Sequence, residues 1–183
     1  MAVDREQVLK EAAALLTRRA TTSMDEIARA AGISRATLHR HFAGRDALIK
    51  ALEEQGIARF AQAMDSARLE EGDAAGALRR LIAEAEPVAD MLAFLSTENQ
   101  LFEGADVNAG WDRLDARITA LFRRGQEEGD FRIDLSPAWL AEALYGLIGA
   151  GAYAVHEGRV ARNDLTHSIA ELLLGGIRRS MEK

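Results

Sequence analysis

The sequence predicts an all-α protein of about nine helices, and three observations predict it. Apolar residues recur at three- and four-residue spacing along nearly the whole chain, and no stretch sustains the two-residue alternation of a strand. Gly, Pro and cap-forming Ser or Asp residues punctuate those periodic segments. Near the N-terminus two short periodic segments meet at a single glycine, which predicts a three-helix helix-turn-helix head followed by a larger C-terminal helical region. A chain of 183 residues buries enough core for one compact domain or two small ones; the expected division is 1–46 and 47–183.

The first helix is expected over residues 4–19, with Val8, Leu9, Ala12, Leu15 and Leu16 on its apolar face. The run from Ala20 to Thr22 breaks it. Ser23 then caps the second helix, and Glu26 three residues later completes a capping box. Ile27 and Ala31 share one face of that helix, and small Ala28 allows a close crossing. Gly32 supplies the positive φ of a sharp turn, and Ser34 caps a third helix that begins at Arg35 and buries Leu38 and Phe42. His41 is expected to pack partly inward. His39 and His41 point about 200° apart on a helix, which does not suit one shared metal ion.

A fourth helix is expected over 45–69, anchored by Leu48, Leu52, Phe60 and Met64, with Gly56 marking close packing. Further helices follow at 73–85, 87–102, 111–128, 137–157 and 163–181, with loops at 70–72, 104–110, 129–130 and 158–162. Ser136 followed by Pro137 is a helix start, with a hydroxyl cap and a proline in the first turn.

With 48% hydrophobic and 28% charged residues the composition is that of an ordinary globular protein, and the absence of cysteine excludes disulfide and thiolate chemistry. The N-terminus lacks an apolar signal core, and the charge-free apolar run 143–155, 13 residues long, is short for a bilayer span. The expectation is a cytoplasmic protein without a membrane partner. Net charge is −6, yet residues 1–50 carry +3 and residues 51–183 carry −9. A basic head on an acidic body concentrates attraction for phosphate at one end.

The third helix carries the chemistry. Arg35 suits bidentate contact to a guanine edge, and Thr37 suits a thymine methyl or a phosphate. His39, Arg40 and Arg45 lie at or beyond the far end of the helix and suit phosphates, while Ser23 suits a phosphate beside the backbone N–H groups that open the second helix. The partner so described is double-stranded DNA, contacted through the major groove.

The run Ala28-x-x-x-Gly32-Ile33-Ser34-Arg35-x-Thr37-Leu38-His39-Arg40-His41-Phe42, followed by Gly44-Arg45-Asp46-x-Leu48, resembles the TetR-type (TetR/AcrR-like) bacterial transcriptional regulators. In that pattern His39 is usually Tyr and Arg45 usually Lys; the arginine keeps the cation. The specific resemblance covers roughly residues 5–50, and Gly129-Asp130-Phe131-Arg132-x-Asp134-x-Ser136-Pro137 is similar to the connection before the last two helices of such proteins. The resemblance implies a small hydrophobic or amphipathic effector in a pocket of the C-terminal helices, its binding moving the fourth helix and changing the separation of the recognition helices. Candidates for lining that pocket are Met91, Phe94, Leu95, Asn99 and Phe102, with Trp111, Leu114, Asp115, Ile118 and Tyr145.

The last two helices are apolar over too broad a face for a monomer to cover, which predicts a homodimer built on a four-helix bundle. The stripes expected at its interface are Leu140, Leu144, Leu147, Ile148, Gly151 and Val155, then Leu165, Ile169, Leu172, Leu173 and Gly176. A dimer would set two recognition helices about 34–36 Å apart on a palindromic operator. A repressor is the expected mode, with the direction of the effector's effect left open. The alternative is a DNA-binding scaffold or regulator that answers to a protein partner, without a small-molecule ligand. No zinc-protease, nucleophile-elbow, P-loop or dinucleotide motif is present, so neither catalysis, cofactor nor metal is expected.

Overall fold

The computed structural model describes residues 4–97 and 105–179. They form α1 (Arg5–Arg18), α2 (Met24–Ala30), α3 (Arg35–His41), α4 (Arg45–Ala67), α5 (Ala74–Ala85), a 3-10 turn (Glu86–Val88), α6 (Ala89–Thr97), α7 (Ala105–Glu127), α8 (Pro137–His156) and α9 (Arg162–Ile177). The architecture is all-α, with the helix-turn-helix at the N-terminal end and a helical bundle behind it.

Local signals account for most boundaries. Asp4, Ser23, Ser34, Asp73 and Ser136 each accept a backbone N–H two or three residues on, and so cap α1, α2, α3, α5 and α8. Three details depart from the sequence expectation. Pro87 falls in the 3-10 turn instead of the first turn of a long helix. The expected 104–110 loop is helical from Ala105, and Gly110 within that helix seats against Ile57: a Cβ there would lie 3.0 Å from that side chain. The last helix stops at Ile177, where Arg178 bridges to Phe131 and Arg179 donates its N–H to the Asp130 carbonyl at 2.9 Å.

Two cores hold the chain. One joins Val8, Leu9, Leu16, Ile27, Leu38 and Phe42 to Leu48 and Leu52 of α4, and it takes in Met91, Phe94 and Leu95 of α6. The other, larger one runs from Phe60 and Met64 through α5, α7, α8 and α9. The long helix α4 contributes to both. Gly56 marks the point where α6 crosses it, since a Cβ would come within 2.6 Å of Leu95 Cδ1.

Helix α8, 20 residues long with a mean hydropathy of 1.3, is by length and composition long enough to cross a bilayer, contrary to the expectation from its charge-free run. Its apolar residues have another use here. Leu140, Ala141, Leu144, Ile148 and Ala152 are buried against the rest of the chain.

Candidate nucleic-acid interface

The glycine corner behaves as its sequence requires. Gly32 takes φ +68, its N–H donates to the Arg29 carbonyl at 3.1 Å, and the Ile33 N–H donates to the Ala28 carbonyl at 3.0 Å. That pair of bonds is the left-handed glycine stop that ends α2 and turns the chain into α3. Leu38 (0% exposed) and Phe42 (2%) anchor α3 from below, and the Arg5 guanidinium lies over the Phe42 ring, 5.2 Å from its centroid.

Among the side chains left outward on α3 are two guanidinium groups and two imidazoles. Arg35, His39 and Arg40 are exposed, and so is His41, which sits beside Phe42 instead of packing inward. Arg35 pairs loosely with Asp25 at 3.2 Å; both side chains are more than half exposed, so water screens the pair and it costs little to open. Thr37 is half-buried, shares a 2.9 Å hydrogen bond with the Ser34 hydroxyl and faces Arg40 Nη2 at 3.5 Å.

Two of the residues expected at phosphates, Ser23 and Arg45, make hydrogen bonds within the head. The Ser23 N–H and hydroxyl both donate to Glu26 Oε2, each at 2.8 Å, so a carboxylate stands where a phosphate was expected. Arg45 donates from Nη1 to the Thr22 carbonyl at 2.7 Å and from Nη2 to the Ala20 carbonyl. Both residues are thereby engaged in building the head, because the α1–α2 corner leaves donors and acceptors that must find partners.

The capping box also leaves an acid signature. The Ser23 backbone N–H, then its hydroxyl, then Arg19 hold the Glu26 carboxyl down to about 2. A depressed carboxylate contributes fully above its ordinary value of 4.5 and loses that contribution as pH falls towards 2. Glu26→Gln is expected to melt below wild type at neutral pH, with the difference closing between pH 4.5 and 2. A difference that stays constant through that window would remove the charge from the account.

The candidate effector residues divide. Asn99 and Phe102 lie outside the described residues. Met91, Phe94 and Leu95 are packed in the core shared by α1, α4 and α6, and Leu114 and Ile118 are buried in the larger core. Trp111 touches both cores and donates its indole N–H to Glu53 Oε1 at 3.2 Å, while the Tyr145 hydroxyl donates to Asp115 Oδ1 at 2.8 Å. Burial, then that bond to Asp115, raise the Tyr145 pKa well above its ordinary value, so it stays a donor. Glu53, 1% exposed, was not foreseen. Its signal was present: it falls in phase with Ile49, Gly56 and Phe60 along the inner face of α4.

Another unforeseen contact joins the two cores. The Thr17 hydroxyl of α1 donates to the Asp90 carbonyl at 2.8 Å, Asp90 Oδ1 meets His156 Nε2 at 2.7 Å, and Arg162 bonds Glu86 at 2.8 Å. The first turn of α6 therefore touches α1 and the end of α8, and the 3-10 turn before it touches the start of α9.

In the single chain most of the expected dimer stripe is already covered. Leu140, Leu144, Ile148, Leu165, Ile169 and Leu173 are buried within their own chain, and Leu147 and Val155 pack against the same core. Gly151 serves α9 of its own chain, since a Cβ there would lie 2.4 Å from Leu165 Cδ1. Of the eleven, Leu172 (65% exposed) and Gly176 stay on the surface. On these two helices the large apolar side chains left exposed are Trp139 and Tyr153 of α8, in phase with the uncovered Gly146 and Ala150, and Leu172 of α9 beside Gly175 and Gly176.

Comparison with known proteins agrees with this geometry. The family model for "Bacterial regulatory proteins, tetR family" matches residues 8–52, which span α1 to the first turns of α4. The HTH-type transcriptional regulator NfxB of Pseudomonas aeruginosa is 32% identical over 173 residues, 93% of this chain and 92% of that protein. The HTH-type transcriptional repressor LfrR of Mycolicibacterium smegmatis is 27% identical over 94% of this chain and 89% of its own. The crystal structure of LfrR in complex with proflavine superposes with a TM-score of 0.70 at 24% identity, covering 97% of this chain and 98% of that one. With a relative at this identity running almost end to end and the glycine-cornered helix pair in place, the chain belongs to the TetR family of helix-turn-helix, DNA-binding transcriptional regulators.

Proposed function

We propose that the protein is a cytoplasmic repressor that binds a palindromic operator as a homodimer, one α3 in the major groove of each half-site, under control of a small hydrophobic or amphipathic effector. The division of labour is a DNA-binding part at 1–46 and an effector-binding, dimer-forming part at 47–183. The observation that carries the reading is the exposed polar face of α3, with Arg35, His39 and Arg40 outward and Leu38 and Phe42 locked inward. In this scheme Arg35 reads a base, Thr37 contacts a methyl or a phosphate, and His39 and Arg40 hold phosphates.

For the effector, support comes from the Trp111–Glu53 and Tyr145–Asp115 bonds, which place polar groups of α4, α7 and α8 among the candidate residues, and from the proflavine bound to LfrR. A buried carboxylate beside an indole suits a ligand with a flat apolar part and a positive charge. Such a ligand acts only through unequal affinity for the two conformations of the regulator. For self-association, the exposed Trp139, Tyr153 and Leu172 flanked by small residues are the support.

Arg35→Ala is the test of base reading. Against a duplex that the wild-type protein selects from a random pool, affinity is expected to fall by roughly 1–3 kcal/mol, with a much smaller loss on random DNA. Equal losses on both would reassign Arg35 to the backbone.

A further inference from the structure

Arg45 opens α4, and Gly44 before it makes no side-chain cap. Its guanidinium reaches across to the α1–α2 corner and donates to two backbone carbonyls there, those of Ala20 and Thr22. Among the described residues, the corner's other side-chain hydrogen bonds stay within its own neighbourhood. Thr22, 2% exposed, donates its hydroxyl to the Arg19 carbonyl at 2.7 Å, and Ser23 is committed to the capping box. No other side chain among the described residues is seen to bond these two carbonyls from α4.

We infer that Arg45 is a positioning residue: its fork clamps the first turn of α4 to the corner that launches α2, so that α4 and the helix-turn-helix move as one piece. This rests on the DNA-binding reading above and replaces the phosphate role expected for Arg45. The chemistry favours arginine specifically. A planar guanidinium satisfies two carbonyls at once with little further ordering, whereas an ammonium lacks that preorganised fork and must order a flexible stem to reach both. Two consequences follow from the position. Displacement of α4 along its axis pulls on Ala20 and Thr22 directly, and through them on Ser23 and the start of α2. Arg45 also supplies no counterion release on DNA binding, because it acts through the head's shape.

The test uses the full-length wild type, Arg45→Lys and Arg45→Ala, with the duplex that the wild type selects from a random pool, titrated over a range of KCl. Both variants are expected to bind about tenfold or more weakly, the scale of a lost charge-assisted hydrogen bond, with the wild-type slope of log affinity against log salt. Backbone amides of residues 20–25 are expected to exchange faster in both. Wild-type affinity in Arg45→Lys, together with a slope reduced by about one in Arg45→Ala, would show a phosphate contact and overturn the inference. Unchanged amide exchange in Arg45→Lys would overturn it without reference to DNA, and that variant decides the matter even where Arg45→Ala fails to fold. Failure of the wild type to enrich any duplex, with exchange accelerated in both variants, would sink the DNA-binding reading and leave the clamp standing.

Discussion

Leu172→Asp is expected to give a folded monomer that has lost tight operator binding. The side chain is 65% exposed in the single chain and belongs to neither core, so the substitution leaves the protomer's packing untouched. In a two-fold assembly through α8 and α9 it would be covered by the partner, and each interface would gain two carboxylates in an apolar setting. Desolvating them costs several kcal/mol, enough to dissociate a dimer that buries this face. Operator affinity falls with it, because a monomer holds one half-site only. Sedimentation at micromolar concentration and a helical circular dichroism spectrum check both halves of the expectation. Dimers that persist would place the interface away from Leu172.

Phe42→Ala is expected to lower the unfolding free energy by about 3–5 kcal/mol, the range for emptying a buried aromatic site. Phe42 closes α3 and fills the space among α1, α3 and the first turns of α4. Nothing nearby can relax into the gap cheaply, because Leu38, Leu48 and Leu52 are themselves fully buried and committed to other contacts. Arg5 would also lose the ring beneath its guanidinium. Urea unfolding is the measurement, and a loss under about 1 kcal/mol would mean that the site collapses far more readily than its burial implies.

The head was legible because its instructions are local. Ser23 with Glu26, Gly32 with φ +68, and Ser34 with the Thr37 N–H each act within a few residues, and the observed caps and corner stand where those residues stand. The roles of Ser23 and Arg45 were less legible, since a residue's type states what it can bond, not which partner is nearer. A serine and an arginine at the edge of a basic head suit phosphate equally well on paper. In the folded chain Glu26 and two loop carbonyls are nearer. Glu53 was readable in principle from its phase along α4, and its meaning depended on Trp111, 58 residues away.

By itself, then, the chain's order of residues determined the helix count, the capped and cornered N-terminal pair, and the polar face that goes with it, because backbone bonds within a few positions decide all three. Which side of a broad apolar helix faces home was decided only by tertiary structure. In α8 and α9, leucines at helical spacing run round more than one face, and periodicity cannot say which face a neighbour covers. Packing of α6, α7 and α5 against one side settled it: Leu144, Ile148 and Leu173 went into the chain's own core, and Trp139, Tyr153 and Leu172 were left outside.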